Sequence, residues 1–314
     1  MSLRRLPALA ACLALALVPA GCGSGGSASG SDDARKLLED AAAKQVKSAD
    51  AKFSLTANLE GGDSDKLTGP LKLQFSGPFR SNGQRKLPDL DWKFHGEAAG
   101  RSLDARLVTV VDNAFVEYQG TAYEVGEQLV KRFTQQQAGA PEQDFRSLGI
   151  DPSGWLKNAE VEDGYEIGGD PTRKVSREVD LRKVLESVNA MFAKPAVKSQ
   201  LPPGTPPVRL PEKAMEEIED AVDDMKLEVN VGRDDGILRR VRFEASFKTP
   251  EKERSKVGGV EGGELKLDFE QTNIDGDQRI EAPTDARDFS ELLRAFGVPP
   301  ELLLGPGALT PSPG

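Results

Sequence analysis

Residues 51–77, AKFSLTANLEGGDSDKLTGPLKLQFSG, decide the fold. Phe53, Leu55, Ala57 and Leu59 alternate with Lys52, Ser54, Thr56 and Asn58, and a period of two puts each set on its own side of an extended chain. The turn residues Gly61 to Ser64 follow, and the alternation resumes as Leu71, Leu73 and Phe75. Two strands with one apolar face, joined by a turn, are the expectation.

The pattern runs on toward the C-terminus through Leu90, Trp92 and Phe94, then Leu103, Ala105 and Leu107, then Ala114, Val116 and Tyr118, with Tyr123 and Val125 after a turn at Gly120. That is an antiparallel meander. Before it, Ser31 to Ser48 begins with Ser and Asp capping residues and repeats Ala34, Leu37, Leu38, Ala41, Ala42 and Val46 at helical spacing, an amphipathic helix. After it, a helix is expected over Gly126 to Gln136, and a short one around Phe145, Leu148 and Trp155.

The second half repeats the theme. Strands are expected over Ala159 to Gly168 and Thr172 to Val179, then a helix with Leu181, Val184, Leu185, Val188, Met191 and Phe192. Residues 194 to 211 contain six prolines, Pro195, Pro202, Pro203, Pro206, Pro207 and Pro211, which excludes a helix or a central strand. A further helix carries Ala214, Met215, Ile218, Ala221, Val222 and Met225 on one face. Three strands close the body, Lys226 to Val231, Leu238 to Phe247 and Leu265 to Phe269, the first two joined at Asp234-Asp235-Gly236. Past Phe296 the chain turns rich in proline and glycine.

Long antiparallel strands with one apolar face and helices to cover it define an α+β fold. The order of elements, the stretch Val108 to Val125, the run Gly169 to Val175 leading to Asp180 and a helix, and Ile274 to Pro283 as a last strand entering a proline together resemble the LppX/LprG-type envelope lipoproteins of actinobacteria. The resemblance spans residues 31 to 283. It implies a large curved antiparallel sheet, a half-barrel covered by helices around an apolar cavity as in the related LolA-type carriers, and a role in holding acyl chains. On that reading Phe53, Leu55, Leu71, Leu73, Phe75, Trp92, Phe94, Leu107, Phe243 and Phe247 are the ligand-binding residues. Alternation by itself does not separate a packed interior from one that holds a ligand.

The N-terminus fits an exported protein. Arg4 and Arg5 precede an uncharged apolar stretch, Leu6 to Pro19, the form of a secretory signal and shorter than the ~20 apolar residues that span a bilayer. The residues after the arginine pair, Leu6-Pro7-Ala8, fit a twin-arginine motif poorly, so ordinary Sec export is expected. Ala20-Gly21 directly before Cys22 resembles the lipobox of bacterial lipoproteins, with Pro19 displacing the usual Leu one place outward. The resemblance implies a palmitate-class acyl anchor on Cys22. The other cysteine, Cys12, lies inside the signal, so the mature chain has no disulfide. The expected organisation is a signal peptide over 1–21, a Gly/Ser tether over 22–32, one domain over 33–296 and a flexible tail over 297–314. As a random coil, the tether lets the body stand roughly 15–20 Å from the membrane.

Charge and composition narrow the function. The full chain has net charge −10, and removal of a signal containing two arginines and no acid makes it −12. An acidic surface of this kind is repelled by nucleic acid and anionic headgroups, so stable attachment would come from acyl chains. One histidine, His95, and no mature cysteine beyond Cys22 supply neither a histidine-based triad nor a His/Cys metal cluster. His95, next to Phe94, is expected to point to the polar side. Asn273 to Gln278 departs from a calcium loop, which needs Gly where Gln278 stands, and reads as a turn. The acidic group Glu216, Glu217, Glu219 and Asp220 reads as a solvated helix face. No cofactor or metal is expected. The expected function is a membrane-anchored carrier, on the extracytoplasmic face of the cell membrane, that moves acylated lipid or lipoglycan across the envelope, with a membrane transporter or acceptor protein as partner. The alternative is a lipid-sensing or protein-interaction module of the same fold with a regulatory or assembly role. A hydrolase ranks third, for want of a base.

Overall fold

A computed structural model describes residues 30–62, 69–83, 86–138, 155–157, 159–193, 210–255 and 258–299. The sequence readings for the signal, Cys22 and the tether as far as residue 29, for Phe145 and Leu148, for 194–209 and for 300–314 lie outside them. Helix α1 (Gly30–Ala43) leads into β1 (Ser48–Gly61), β2 (Gly69–Arg80), β3 (Asp89–Ala98), β4 (Arg101–Val110), β5 (Asn113–Tyr118) and β6 (Thr121–Glu124), followed by α2 (Glu127–Ala138). The second run is β7 (Val161–Asp163), β8 (Thr172–Glu178), α3 (Leu181–Ala193), α4 (Glu212–Ala221), β9 (Val222–Gly232), β10 (Leu238–Lys248), α5 (Glu251–Arg254), β11 (Val260–Thr272), β12 (Arg287–Asp288) and α6 (Phe289–Ala295).

The twelve strands of the described residues belong to one sheet in the order β12-β6-β5-β4-β3-β2-β1-β11-β10-β9-β8-β7. Two antiparallel meanders therefore meet at β1 and β11, which pair from Asp50↔Thr272 to Gly61↔Val260. Open sheets of this width curl under their own twist, and the architecture is an α+β half-barrel. Among the described strands only β12 runs parallel to its neighbour, β6.

The polar face is laced with charge. Arg106 donates to both oxygens of Asp91, at 2.6 and 2.8 Å, and to Glu117 at 3.0 Å, contacts that raise its already high pKa further. Arg240 reaches Asp268 and Glu270. His95 faces Asp104 across β3 and β4, with Nδ1 2.7 Å from the carboxylate, on the polar side as expected.

The apolar face is the inner one. Leu37 and Ala41 of α1 pack with Val175, Val229, Val231 and Val241, making a dry core at the β8–β10 end. A smaller cluster, Val108, Phe115 and Ile280, sits on the opposite face, where the chain after β11 returns toward β6.

That return corrects one expectation. Residues 274–283 are not a strand: Asn273 and Asp275 have φ of 50° and 54°, and the Asp275 carboxylate accepts from the Lys47 backbone N–H at 2.8 Å. The segment is a turn followed by an irregular crossing. Two further differences have local causes. The strand expected over 159–168 is reduced to Val161–Asp163, because Gly168 and Gly169 take φ of 63° and 89° and turn the chain back. Val222 and Met225 belong to β9 rather than to α4. Glu217 and Glu219 of the acidic helix face pair with Lys213 and Arg182.

Asp89, 3% exposed, pins the turn between β2 and β3. Burial alone would push its carboxyl up, but hydrogen bonds from Arg80, Asn82 and the Val111 N–H outweigh it and hold the pKa below the ordinary value. A depressed carboxyl contributes stability that is complete above its unfolded pKa of about 3.9 and is lost as pH falls through the lower folded value. Asp89→Asn is expected to cost about 1–3 kcal/mol at pH 7, from donors left without a charged acceptor. Urea unfolding should show the gap from wild type closing below about pH 3; a gap independent of pH would contradict this role.

Candidate functional site

Backbone pairing places the predicted ligand-binding residues in successive rows across the inner face. The central row runs Val175, Val229, Val241, Phe269, Phe53, Phe75, Phe94, Ala105 and Tyr118. One pleat away, Leu227, Phe243, Leu267, Leu55 and Leu73 form the next row, and Met225, Ala245, Leu265, Ala57 and Leu71 the one beyond it. On the other side of the central row Trp92 pairs with Leu107. Phe247, opposite Gly263, continues the face along β10. All ten predicted residues therefore share one face, and none carries a charge.

Their exposure divides the face in two. Under α1 the central row is dry: Val175 is 0% exposed, Val229 6% and Val241 9%. Toward β4 the floor opens, with Leu107 38% and Leu103 41% exposed. The other nine predicted residues are half-buried. Sidedness thus agrees with the sequence, but these side chains form the floor of a trough rather than a closed packing unit.

The trough is aromatic at its centre. Phe75 lies 5.9 Å from Phe53, 5.1 Å from Phe94 and 6.2 Å from Trp92, ring centre to ring centre and tilted in each case, geometries that aromatic pairs prefer. Gly77, opposite Ala51 on β1, is required there because a Cβ would collide with the Asp91 carbonyl. The Trp92 N–H is shut off from water and has no acceptor among the described residues, whereas the Trp155 N–H donates to Ser187 at 3.0 Å.

Two hollows, of about 440 and 720 Å³, lie elsewhere. Lys52, Asp91, Lys93 and Glu270 line the first, and Glu160, Arg177, Lys226, Glu228 and Arg242 the second. Walls this charged do not suit an acyl chain, so neither hollow is the apolar cavity expected from the sequence; that expectation maps onto the trough. Among the described residues no group of three or more His, Cys, Asp or Glu is placed to hold a metal ion, and no helix is long and apolar enough to cross a membrane.

Sequence reasoning did not place Tyr118, Phe269, Leu103 and Phe296 with the predicted residues, although they lie on or against the same face. Phe269 was recoverable from its alternation with Leu265 and Leu267. Phe296 was not, because it reaches Tyr118, 5.2 Å away, only through the return of the chain to β6.

Neither protein-family models nor curated proteins match the chain. Among solved structures it is similar to the lipoprotein LppX of Mycobacterium tuberculosis, at 10% identity and TM-score 0.36 over 80% of this chain and 99% of that one. It is also similar to LprF from Mycobacterium bovis, at 12% identity and TM-score 0.37 over 82% and 99%. A third is a DUF1329 family protein from Desulfovibrio piger, at 10% identity and TM-score 0.19 over 80% and 93%. Likeness this distant says nothing of ligand or chemistry, which rest on the residues of this chain.

Proposed function

We propose that this chain is a membrane-anchored lipoprotein that binds acyl chains in the trough and carries acylated lipid or lipoglycan across the cell envelope. One observation supports it above all: contiguous rows of uncharged side chains, from Val175 to Tyr118 and from Leu227 to Leu73, that are buried under α1 and half-exposed from β1 to β5. Contiguous apolar surface left open on a folded protein marks a binding site. Each methylene laid on it is worth about 0.8 kcal/mol, so ten would release roughly 8 kcal/mol before the cost of association. Among the described residues, the trough rows hold no Ser, Cys, His, Asp or Glu, which favours holding a ligand over cleaving it.

The mature chain with Cys22→Ser, titrated with a fluorescent fatty acyl probe, should show saturable binding that unlabelled acyl lipid displaces. An absence of binding under conditions where the protein is folded would overturn the proposal. The anchor is tested separately. Cys22→Ser should move the protein from the membrane to the soluble fraction, since its apolar anchor is then lost; a variant that still sediments with membranes, together with a wild type lacking acyl mass, would refute it.

A further inference from the structure

Five large apolar side chains are exposed among the described residues, and three of them, Leu103, Leu107 and Phe296, lie on β4 or against its neighbour β5. Residues 101, 103, 105 and 107 of β4 share the trough face. Ala105 pairs with Tyr118, and the Tyr118 ring contacts Phe296, which is 55% exposed at the end of α6. The trough therefore runs out onto a rim where Leu103, Leu107 and Phe296 stay open to solvent. Arg101 stands on the same face one step from Leu103, and Arg294 lies in the last turn of α6. Both are exposed. Arg80, Arg106, Arg240 and Arg254 each have a carboxylate partner, but Arg101 and Arg294 have none among the described residues. No aspartate or glutamate occupies a trough-face position of β4 or β5.

We propose that this rim, formed by Arg101, Leu103, Leu107, Tyr118, Arg294 and Phe296, docks on the surface of a phospholipid bilayer. Leucine, an aromatic pair with a polar tip and flanking arginines match what an interfacial surface needs: apolar groups to enter the acyl boundary and cations to meet phosphate. For a chain of net charge −10, a rim with cations and no aspartate or glutamate at its β4 and β5 positions is where the protein meets headgroups with least repulsion. The inference rests on the trough as a lipid site and assigns its mouth: an acyl chain passes between bilayer and trough at β4 and β5 without crossing water.

The test uses the mature chain with Cys22→Ser, so that no acyl anchor contributes, and vesicles of phosphatidylcholine with a minority of phosphatidylglycerol. Flotation should recover the protein with the vesicles. Leu103→Ser with Phe296→Ser should lower partitioning about tenfold, equivalent to about 1.4 kcal/mol. Arg101→Gln with Arg294→Gln should lower it on these vesicles and remove its salt dependence. Both variants should keep the melting temperature of the parent, and the arginine variant, whose residues lie outside the apolar rows, should keep its binding of a fluorescent fatty acyl probe supplied free in solution. If the parent chain fails to bind the probe, the trough reading fails. If it binds the probe but does not float, or the variants float equally well, the rim proposal is overturned; a change in sedimentation state in the rim variants would assign the rim to a second copy of the chain and overturn it as well.

Discussion

Ala105→Trp is expected to weaken uptake of a fluorescent acyl probe by at least about tenfold, a loss of about 1.4 kcal/mol or more, while the melting temperature moves by little. Ala105 lies between Phe94 and Tyr118 in the central row and is half-buried. A large ring there projects over the open floor, where it displaces ligand atoms instead of protein atoms. Ala57→Trp, in the row of Leu71 and Leu265, should behave the same way. Val241→Trp is the internal contrast. Val241 sits in the dry part of the face under α1, 9% exposed, and overpacking a filled interior costs about 1–3 kcal/mol, a fall in melting temperature of roughly 2–12 °C for a protein of this size. If Ala105→Trp destabilised the protein as much as Val241→Trp and left uptake unaltered, the face would be a packed core along its whole length.

Leu37→Ala is expected to give the largest loss of stability among single truncations, about 2–5 kcal/mol in chemical denaturation. Leu37 is 6% exposed and stands between Ala34 and Ala41, which are 0% and 3% exposed, where α1 meets the valines of β8, β9 and β10. The helix is short and has no basic residue in its last turn, so its stability comes from this packing rather than from intrinsic propensity. Unfolding should be a single transition in wild type and variant, because one sheet joins both meanders through β1 and β11. A cost below about 1 kcal/mol would mean that α1 does not close that end of the sheet.

The strands were legible because each has one apolar face, and alternation at period two survives any arrangement of neighbours. Phe53, Leu55 and Ala57 announced β1 as plainly as Val241, Phe243 and Ala245 announced β10. Strand order was not legible, since nothing local states that β1 pairs with β11. The α4–β9 boundary was misread because Ile218, Ala221, Val222 and Met225 satisfy helical spacing while Met225, Leu227 and Val229 satisfy a period of two. Pairing of Val222 with Phe247 and of Met225 with Ala245 decides for the strand. Helix α6 left a signal that went unused: Asp288 caps it by accepting from the Ser290 N–H at 2.7 Å, and Glu291 follows three residues after the cap. The sidedness of the ten predicted residues was readable. Their half-exposure was not, because alternation reports which way a side chain points and is silent on what, if anything, lies over it.

The most direct measurement is native mass spectrometry of the mature protein purified from its own membranes, with lipid extraction of the same sample. The expected result is a bound acylated species in addition to the covalent anchor at Cys22, retained in the Cys22→Ser protein and lost in Ala105→Trp. A wild-type protein carrying no acyl species beyond its anchor, and taking up none when an acyl lipid is supplied, would contradict a lipid-binding trough.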